Sequence, residues 1–336
     1  NKVDVVRIIK LEFRRCSLAY KFMNITSVRK SIFTLIGIVL LCPSSSLGQQ
    51  KTPTVISGTI ERIENFPSVL VSPRTIDIWL PAGYSRSKKY SVLYMQDGQM
   101  LFDPAQTWNN QAWDIDDIAT GLFKADACRA FIVVGIWNGG VHRHSEYFPQ
   151  RPFESMTPAE QDTMSAQLQR AGRIKDAFMP QSDAYLKFIV TELKPYIDRH
   201  YSVKKNRLNT YIGGSSMGAL ASIYAVCEYP RVFGGAICIS THWVGTFQAS
   251  GNPIPNAVIN YLDQHLPSPK RHKIYFDCGD QTLDALYPEF QHRVDTLMSQ
   301  HRYHEDQWRT HYFPGADHSE RSWKNRLHIP LEFMFE

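Results

Sequence analysis

The sequence has 336 residues, of which 43% are hydrophobic and 12% aromatic, enough to bury a core in one large or two modest domains. Charged residues make up 21% without a long acidic or basic block, which excludes a disordered or fibrous chain. The net charge is +5, but eight basic and only two acidic residues lie within residues 1–48. The rest carries 29 basic and 30 acidic residues, so we expect no nucleic-acid binding.

The first 48 residues have the pattern of a secretory signal peptide. Two basic residues precede an apolar run from Ile32 to Cys42, and small and polar residues follow to Gly48. This run is too short to cross a bilayer, which needs about 20 residues. We therefore expect export to the periplasm or the medium without stable membrane insertion, and a lipid anchor on Cys42 is the alternative. Residues before Met23 are interpreted as upstream sequence.

Cysteine and histidine spacings in the remainder favour neither disulfides nor metal sites. Four cysteines follow the signal segment: Cys128, Cys227, Cys238 and Cys278. No C-x-x-C pair or other short spacing joins them, so we interpret them as small buried thiols. Without a Cys/His cluster, a zinc-protease motif or a calcium loop, we predict no metal and no other cofactor.

Hydrophobic patterning predicts an α/β architecture for residues 49–336. Residues 54–80 alternate apolar and polar side chains, which predicts half-exposed antiparallel strands. Short apolar runs predict strands buried on both faces at 90–95, 130–137, 208–214, 234–240 and 273–277. Amphipathic segments predict helices at 182–200, after Ser216 and at 288–300. We expect one domain with a mostly parallel sheet covered by helices on both faces.

Residues 139–180 interrupt this alternation. They are polar and rich in proline, and their aromatic residues follow no clear period. A long insertion after a core strand is often a lid or a binding loop. The alternative is a surface excursion with one helix around residues 157–171.

The segment Gly214-Ser215-Ser216-Met217-Gly218 is the strongest catalytic signal. It follows an apolar strand and precedes a helix, the setting of the nucleophile elbow of serine hydrolases. Glycines allow a tight turn there, and the helix directs its amides at the reacting centre. Ser216 holds the central position and is the predicted nucleophile.

A serine nucleophile needs a base, and His318 is the candidate. It lies in the Pro/Gly-containing loop FPGADHSERSW between a strand-like segment and a final amphipathic helix. In this architecture the acid and then the base follow the serine along the chain, on loops after later strands. Most of the other histidines lie in polar helical surroundings.

Two carboxylates compete for the role of the triad acid. Asp280 and Asp284 both follow the strand KIYFD, and we favour Asp284 because Asp280 lies immediately at the strand end. Asp277 falls inside the strand pattern. Asp317 is adjacent to His318 in the chain and would hardly reach its ring.

Acyl transfer also needs amide donors for the oxyanion. The backbone N–H of Met217, directly after the nucleophile, is the first predicted donor. The second is the backbone N–H of Gln99, which follows an apolar strand in the turn Asp97-Gly98-Gln99. A plain Asp-Gly turn is the alternative for that segment.

Together these motifs resemble the putative esterase family of the α/β-hydrolase superfamily, which includes enterochelin esterases, esterase D and feruloyl and acetyl-xylan carbohydrate esterases. Matching segments span nearly all of residues 49–336: YMQDGQMLFD, GIWN, TELKPYIDRHY, GGSSMGAL and GADHSERSW. The resemblance implies an α/β-hydrolase fold and a Ser216–His318–Asp284 triad, with Gln99 and Met217 amides as the oxyanion hole. It favours Asp284 through the segment TLDA, but Asp280-Gln281 departs from the family's loop and Asp280 remains the alternative acid.

The expected function is carboxylic ester hydrolysis on acylated carbohydrates or aryl esters, with a small-molecule or oligosaccharide ester as partner. Siderophore ester hydrolysis and an exported acyltransferase using the same triad are the alternatives. Aromatic residues that could line the site are Trp108, Trp113, Trp137, Tyr147, Phe148 and Trp243. Our candidates for substrate contact are Trp137, Arg143, Glu146 and Trp243. Core packing of the tryptophans and a loop-bracing salt bridge are the alternatives.

Overall fold

A computed structural model describes residues 51–336 of the chain. The signal peptide, the start at Met23 and the lipid anchor on Cys42 lie outside these residues. The elements described below belong to one compact unit, Thr52–Glu336. Within the described part, no helix has both the length and the apolar composition needed to cross a membrane.

The described residues form one eight-stranded sheet. Its strands are β1 Thr59–Phe66, β2 Arg74–Leu80, β3 Ser91–Met95, β4 Phe131–Ile136, β5 Thr210–Ser215, β6 Gly235–Ile239, β7 Lys273–Cys278 and β8 Trp308–Tyr312. They lie in the order β1-β2-β4-β3-β5-β6-β7-β8. The pairs β1·β2 and β2·β4 are antiparallel, and all other pairs are parallel. The predicted mostly parallel sheet with an antiparallel start is confirmed.

Helices connect the strands and cover both faces of the sheet. They are α1 Ile115–Lys124, α2 Arg143–Tyr147, α3 Gln150–Glu154, α4 Pro158–Arg170, α5 Ser182–Phe188, α6 Lys194–His200, α7 Met217–Glu228, α8 Ile254–His265, α9 Pro288–Gln300, α10 Glu320–Arg326 and α11 His328–Phe335. Two hydrophobic cores result. In β3, Val92 and Tyr94 enter one core whereas Leu93 and Met95 enter the other, as the two-residue period of a strand requires.

Two predicted elements differ from the structure. Strand β1 is half-exposed as predicted, but β2 is almost entirely buried because it lies between β1 and β4 inside the sheet. The helix predicted over 182–200 contains a π-helical turn at Ile189–Leu193 between α5 and α6. Pro195 explains this change of winding, since its nitrogen cannot donate an ordinary helical hydrogen bond.

The insertion at residues 139–180 is partly packed. The core that contains Val92 and Tyr94 also buries four aromatic side chains of the insertion: Tyr147, Phe148, Phe153 and Phe178. Helix α4 coincides with the helix expected around residues 157–171. Its start carries a capping box in which the Thr157 side chain and Glu160 satisfy each other's backbone amides. The lid role remains a prediction.

The four cysteines of the described residues are buried and free, which agrees with their interpretation as thiols. The carboxyl ends of the parallel strands β3, β5, β6, β7 and β8 meet at one edge of the sheet. Loops that follow these ends therefore converge, as ligand-binding loops do in open α/β sheets. All the predicted catalytic residues lie on these loops or at the start of α7.

Candidate active site

Ser216 occupies a strained turn between β5 and α7. Its backbone angles are φ 54° and ψ −122°, a region that costs a non-glycine residue free energy. The Ser216 amide donates a hydrogen bond of 2.9 Å to the carbonyl of Ile239 in the neighbouring strand. The turn is therefore fixed to the sheet, and Ser216, although 9% exposed, lines a cavity at the carboxyl edge.

Close packing explains the glycines on either side of Ser216. A Cβ atom on Gly214 or on Gly218 would lie 2.9 Å from the Cβ atom of Gln96, nearer than such atoms approach. Gln96 is itself buried, and its side-chain oxygen accepts a hydrogen bond from the Tyr185 hydroxyl. The G-x-S-x-G spacing is thus needed for the elbow to pack against the end of β3.

His318 and Asp284 are in direct contact. His318 Nδ1 lies 2.5 Å from Asp284 Oδ1. The Asp284 side chain is fully buried, whereas the His318 side chain is 14% exposed and lines the same cavity as Ser216. The His318 amide donates to the Thr282 hydroxyl over 2.9 Å, which ties the histidine loop to the turn that carries the aspartate.

Three further groups hold the Asp284 carboxylate. Its Oδ2 atom accepts hydrogen bonds from the Ser240 hydroxyl at 2.6 Å and from the Gly279 amide at 2.7 Å. The Arg326 guanidinium lies 3.9 Å from the same oxygen. Both carboxylate oxygens are therefore partnered, and a positive charge lies behind them.

Ser240 is the centre of this buried arrangement. Its hydroxyl receives hydrogen bonds from Trp323 Nε1 at 3.1 Å and from Arg326 at 2.7 Å. Arg326 also contacts Asp277 at 2.9 Å. Burial raises the pKa of Asp277, and the Arg326 charge opposes that shift. The buried Arg326 guanidinium thus lies close to two buried carboxylates, those of Asp277 and Asp284.

Asp280, the alternative acid, points elsewhere. Its two oxygens accept hydrogen bonds from the Tyr312 hydroxyl and the Gly315 amide, both at 2.8 Å. Asp317 is engaged by the hydroxyls of Ser319 and Ser322. Neither aspartate has a hydrogen bond to the His318 ring among the contacts of the described residues, and the structure brings Asp284, not Asp280, to that ring.

Gln99 and Met217 line the same cavity as Ser216. Met217 is the first residue of α7, where amides have no acceptor within the helix. Gln99 lies in a short 3-10 turn, Gly98–Met100, preceded by Asp97 at φ 54°. A Cβ atom on Gly98 would lie 2.5 Å from the Gly135 carbonyl carbon, so only glycine permits this approach to β4.

Arg143 braces the loop that carries Gln99. It makes two hydrogen bonds of 2.7 Å to the Asp97 carboxylate, and its side chain is 32% exposed in the cavity wall. The Asn138 side chain donates to the same carboxylate at 2.7 Å. Arg143 therefore lies where we expected it, but its charge is already paired.

The structure places the other three candidates for substrate contact against partners within the protein. Trp243 is fully buried and donates to Gln291 at 3.0 Å. Glu146 is 2% exposed and forms a bidentate ion pair with Arg74. Trp137 donates to Asp77 at 2.8 Å, away from the cavity lining.

The sequence interpretation missed two residues beside the nucleophile. His242 follows β6, and its Nδ1 atom lies 2.6 Å from the Tyr287 hydroxyl. The His242 amide donates to the Ser216 carbonyl over 3.2 Å. The position of His242 just after a buried strand next to the elbow strand was the available signal, but only the strand order reveals that neighbourhood.

The cavity around Ser216 is large and open. It has a volume of about 1270 Å³ and extends from Trp108 past Ser216 and His318 to the insertion residues Arg173 and Met179. The Arg173 guanidinium lies 4.9 Å from the centroid of the Phe247 ring, and both residues line the cavity. Within residues 51–336, no cluster of three or more His, Cys, Asp or Glu side chains could hold a metal ion.

Known proteins resemble this chain in sequence and in fold. The model of the family described as Putative esterase matches residues 68–333. Uncharacterized protein YjcH of Bacillus subtilis (strain 168) is 23% identical over 186 residues, which cover 55% of this chain and 63% of YjcH. The chain thus spans about six-tenths of the length of the curated relatives it matches.

Two solved structures share the fold at low identity. A ferulic acid esterase is 19% identical with a TM-score of 0.59, covering 83% of this chain and 98% of that one. The enterobactin esterase of Shigella flexneri is 14% identical with a TM-score of 0.55, covering 84% of this chain and 60% of that one. These likenesses confirm the α/β-hydrolase architecture expected from the sequence.

Proposed function

The chain belongs to the Putative esterase family, and from this premise we propose that it is a serine hydrolase that cleaves carboxylic esters. One observation carries the proposal. A buried carboxylate contacts a histidine at 2.5 Å, and that histidine shares a cavity with a serine held at φ 54° in an elbow. This combination suits an activated serine nucleophile.

In the proposed reaction, Ser216 Oγ attacks the ester carbonyl and His318 Nε2 accepts the hydroxyl proton. Asp284 holds the imidazole through Nδ1 and stabilises its positive charge. The imidazolium then gives the proton to the leaving alcohol, which leaves an acyl group on Ser216. Water, with His318 again as the base, hydrolyses this acyl-enzyme, and no cofactor enters the reaction.

We assign the oxyanion hole to the amides of Met217 and Gln99. The N-terminal position of Met217 in α7 supports the first assignment, because its amide and the helix dipole favour negative charge there. The cavity position of Gln99 and the bracing of its loop by Arg143 and Asp97 support the second. A fixed loop keeps the donor in place while charge develops.

For the substrate we propose aryl esters or acylated carbohydrates. Eight large hydrophobic side chains are exposed among residues 51–336, and four of them line this cavity: Trp108, Val141, Met179 and Phe247. Exposed apolar side chains gathered at one opening mark a binding surface. The structural neighbours include a ferulic acid esterase and an enterobactin esterase, which supports aromatic acyl groups.

The test is hydrolysis of p-nitrophenyl acetate and methyl ferulate by the full chain and by Ser216→Ala, with Ser215→Ala as the matched control. We expect turnover by the wild type, its loss in Ser216→Ala by a factor of about 10⁶, and retention in Ser215→Ala. Turnover retained by Ser216→Ala would overturn the nucleophile. Acyl transfer to an added sugar exceeding hydrolysis would replace the hydrolase with an acyltransferase.

We also propose that residues 1–48 direct export and that residues 49–336 form the mature enzyme. The basic start, the apolar run and the small residues that follow support this proposal. N-terminal sequencing of the protein recovered from the periplasm or medium of a producing cell should give a start near residue 49. Recovery of the intact N-terminus from the cytoplasm alone would contradict export.

A further inference from the structure

The Ser240 hydroxyl contacts the oxygen of Asp284 that His318 does not contact. Ser240 is fully buried and directly follows β6. Its Oγ atom is 2.6 Å from Asp284 Oδ2, whereas His318 Nδ1 is 2.5 Å from Asp284 Oδ1. Among the described residues, those that line the cavity around Ser216 do not include Ser240. An effect of Ser240 on the reaction must therefore pass through another side chain.

The partners of this hydroxyl fix the direction of each of its hydrogen bonds. Trp323 Nε1 at 3.1 Å and the Arg326 guanidinium at 2.7 Å are donors only, so the Ser240 oxygen accepts from both. A serine hydroxyl has two acceptor positions and one proton, and these two donors occupy both acceptor positions. The single proton is therefore donated to Asp284 Oδ2.

The backbone of Ser240 adopts a conformation that costs a serine free energy. Its φ angle is 46°, in the left-handed region. The Ser240 amide holds this conformation by donating to the carbonyl oxygen of Asp277 at 3.0 Å and to its Oδ1 atom at 3.1 Å. Glycine adopts such an angle without this cost, so the hydroxyl that glycine lacks is the part of Ser240 that calls for a function.

Two contacts connect this hydroxyl to the His318 ring. Asp284 Oδ2 accepts from the Gly279 amide at 2.7 Å as well as from the hydroxyl, and two donors on one oxygen resist rotation of the carboxylate. The other oxygen is thereby left facing His318 Nδ1. The second contact runs through Trp323, whose ring meets the His318 ring edge-on with centroids 5.0 Å apart.

We propose that Ser240 is a positioning residue of the esterase reaction. Its hydroxyl fixes the Asp284 carboxylate and the Trp323 indole, and these two groups hold the His318 ring in place for proton transfer. This inference rests on the proposed function. Ser240 keeps its own proton and forms no covalent bond, and the Ser216 proton still goes to His318. Without the hydroxyl, the imidazole is misplaced more often, and small misplacements of a catalytic group slow a reaction strongly.

The experiment is pre-steady-state release of p-nitrophenol from p-nitrophenyl acetate by the wild type, Ser240→Ala and Ser240→Gly. We expect the acylation rate constant to fall on the order of 10- to 100-fold in both variants, with substrate dissociation unchanged. The Arg326 guanidinium, 3.9 Å from Asp284 Oδ2, is too distant to replace the lost donor without moving. Ser240→Gly also relieves the strain at φ 46°, so it tests the inference even if Ser240→Ala does not fold.

Ser91→Ala is the matched control. It removes a buried serine hydroxyl that donates to Asn209 Oδ1 at 2.9 Å at the start of β3, the end of that strand remote from the site. This variant should acylate at the wild-type rate. Ser240→Cys keeps a side chain of similar shape with a weaker donor, and its acylation rate constant should lie between those of the wild type and Ser240→Ala.

Two further readouts separate positioning from a general loss of structure. In an Asp284→Asn background, Ser240→Ala should lower the acylation rate constant by less than about 3-fold more, because most of its effect passes through that carboxylate. In proton NMR spectra, the His318 Nδ1–H resonance, identified by its absence from His318→Gln, should shift in Ser240→Gly and remain in place in Ser91→Ala. A role confined to folding would leave that resonance where it is in the folded variant.

Wild-type acylation in Ser240→Gly overturns the inference, as does a full additional loss from Ser240→Ala in the Asp284→Asn background. Slower acylation with an unshifted His318 Nδ1–H resonance also overturns it. These results leave the esterase itself intact, since the wild type still turns over. A wild type that hydrolyses no ester removes the proposed function, and this inference falls with it.

Discussion

The buried cluster of side chains behind His318 and the cavity wall in front of it differ in how exposed their side chains are and in how those side chains are held. Behind it, Asp284, Ser240, Asp277 and Arg326 are at most 3% exposed and are joined by hydrogen bonds and ion pairs. In front, the wall contributed by residues 139–180 presents exposed apolar side chains such as Val141 and Met179, 89% and 69% exposed. The buried cluster holds the Asp284 side chain in one arrangement, whereas the wall presents an apolar surface to the cavity.

This difference follows from where each region lies in the fold. Asp277 lies within β7, Ser240 and Asp284 follow the carboxyl ends of β6 and β7, and Arg326 ends helix α10. The wall belongs to an insertion after β4, held by its core aromatics and by the Arg143–Asp97 pair. We therefore expect substitutions behind His318 to change kcat or stability and substitutions in the wall to change KM.

The strongest test of the buried region compares two aspartates only four positions apart. Asp284→Asn should lower kcat by about 10⁴, because the amide cannot stabilise the His318 imidazolium or favour its correct tautomer. Asp280→Asn should stay within about 2-fold of the wild type, since Asp280 braces Tyr312 and Gly315 instead. Steady-state hydrolysis of p-nitrophenyl acetate measures both. Equal losses in the two variants would remove Asp284 from the triad.

A second comparison uses two cations of helix α10. Arg326→Met leaves the buried Asp277 and Asp284 without their counter-ion and should lower the free energy of unfolding by about 3–5 kcal/mol. Lys324→Met removes a partly exposed pair with Asp114 and should lower it by less than about 1 kcal/mol. Urea denaturation measures both. A similar loss of unfolding free energy in the two variants would show that the buried ion pairs of Arg326 stabilise the fold no more than the partly exposed pair of Lys324.

His242 lies at the boundary of the two regions, buried yet bordering the cavity, and its titration reports on that burial. Its pKa in the folded state is depressed, so a proton binds on unfolding and stability falls as pH decreases below about 6.5. Between pH 6.5 and 5, the wild type should lose up to about 1.4 kcal/mol per pH unit more than His242→Asn. Urea denaturation across this range measures the difference. Parallel curves would mean that His242 is solvated in the fold.

The smallest effect is expected in the cavity wall. Trp108→Ala removes an indole that is 83% exposed at the cavity and should raise KM for methyl ferulate about 3- to 10-fold with kcat unchanged. Val69→Ala, at a side chain that is 94% exposed outside the cavity lining, is the control and should change neither constant. A fall in kcat with constant KM would mean that Trp108 acts on the reacting centre.

Much of the fold could be predicted because its signals are local. The apolar runs marked β3 to β7 within a few residues, and helix α9 begins and ends at the predicted residues 288–300. The elbow also has a local signature, since glycines at fixed spacing allow the contact with Gln96. Asp284 was favoured over Asp280 because Asp280 lies immediately at the strand end and because of the resemblance to the esterase family, whose model matches the chain.

The remaining differences between the sequence expectations and the structure concern contacts that only tertiary packing creates. The sequence alone does not distinguish an aromatic or acidic side chain that contacts substrate from one that contacts a buried partner. Trp243 donates a hydrogen bond to Gln291, and Glu146 forms an ion pair with Arg74. The sequence also gives no signal for Ser240. Its hydroxyl is important because Asp284, Trp323 and Arg326 all form hydrogen bonds with it.

The central claim is that Ser216 is the nucleophile activated by His318 and Asp284. Its most direct test is intact-protein mass spectrometry after reaction with a p-nitrophenyl phosphonate, followed by peptide mapping of the adduct. We expect one phosphonyl group per chain, on Ser216, formed rapidly in the wild type and very slowly in Asp284→Asn. An adduct on Ser215 or Ser240, or an unmodified chain that still hydrolyses esters, would contradict the account.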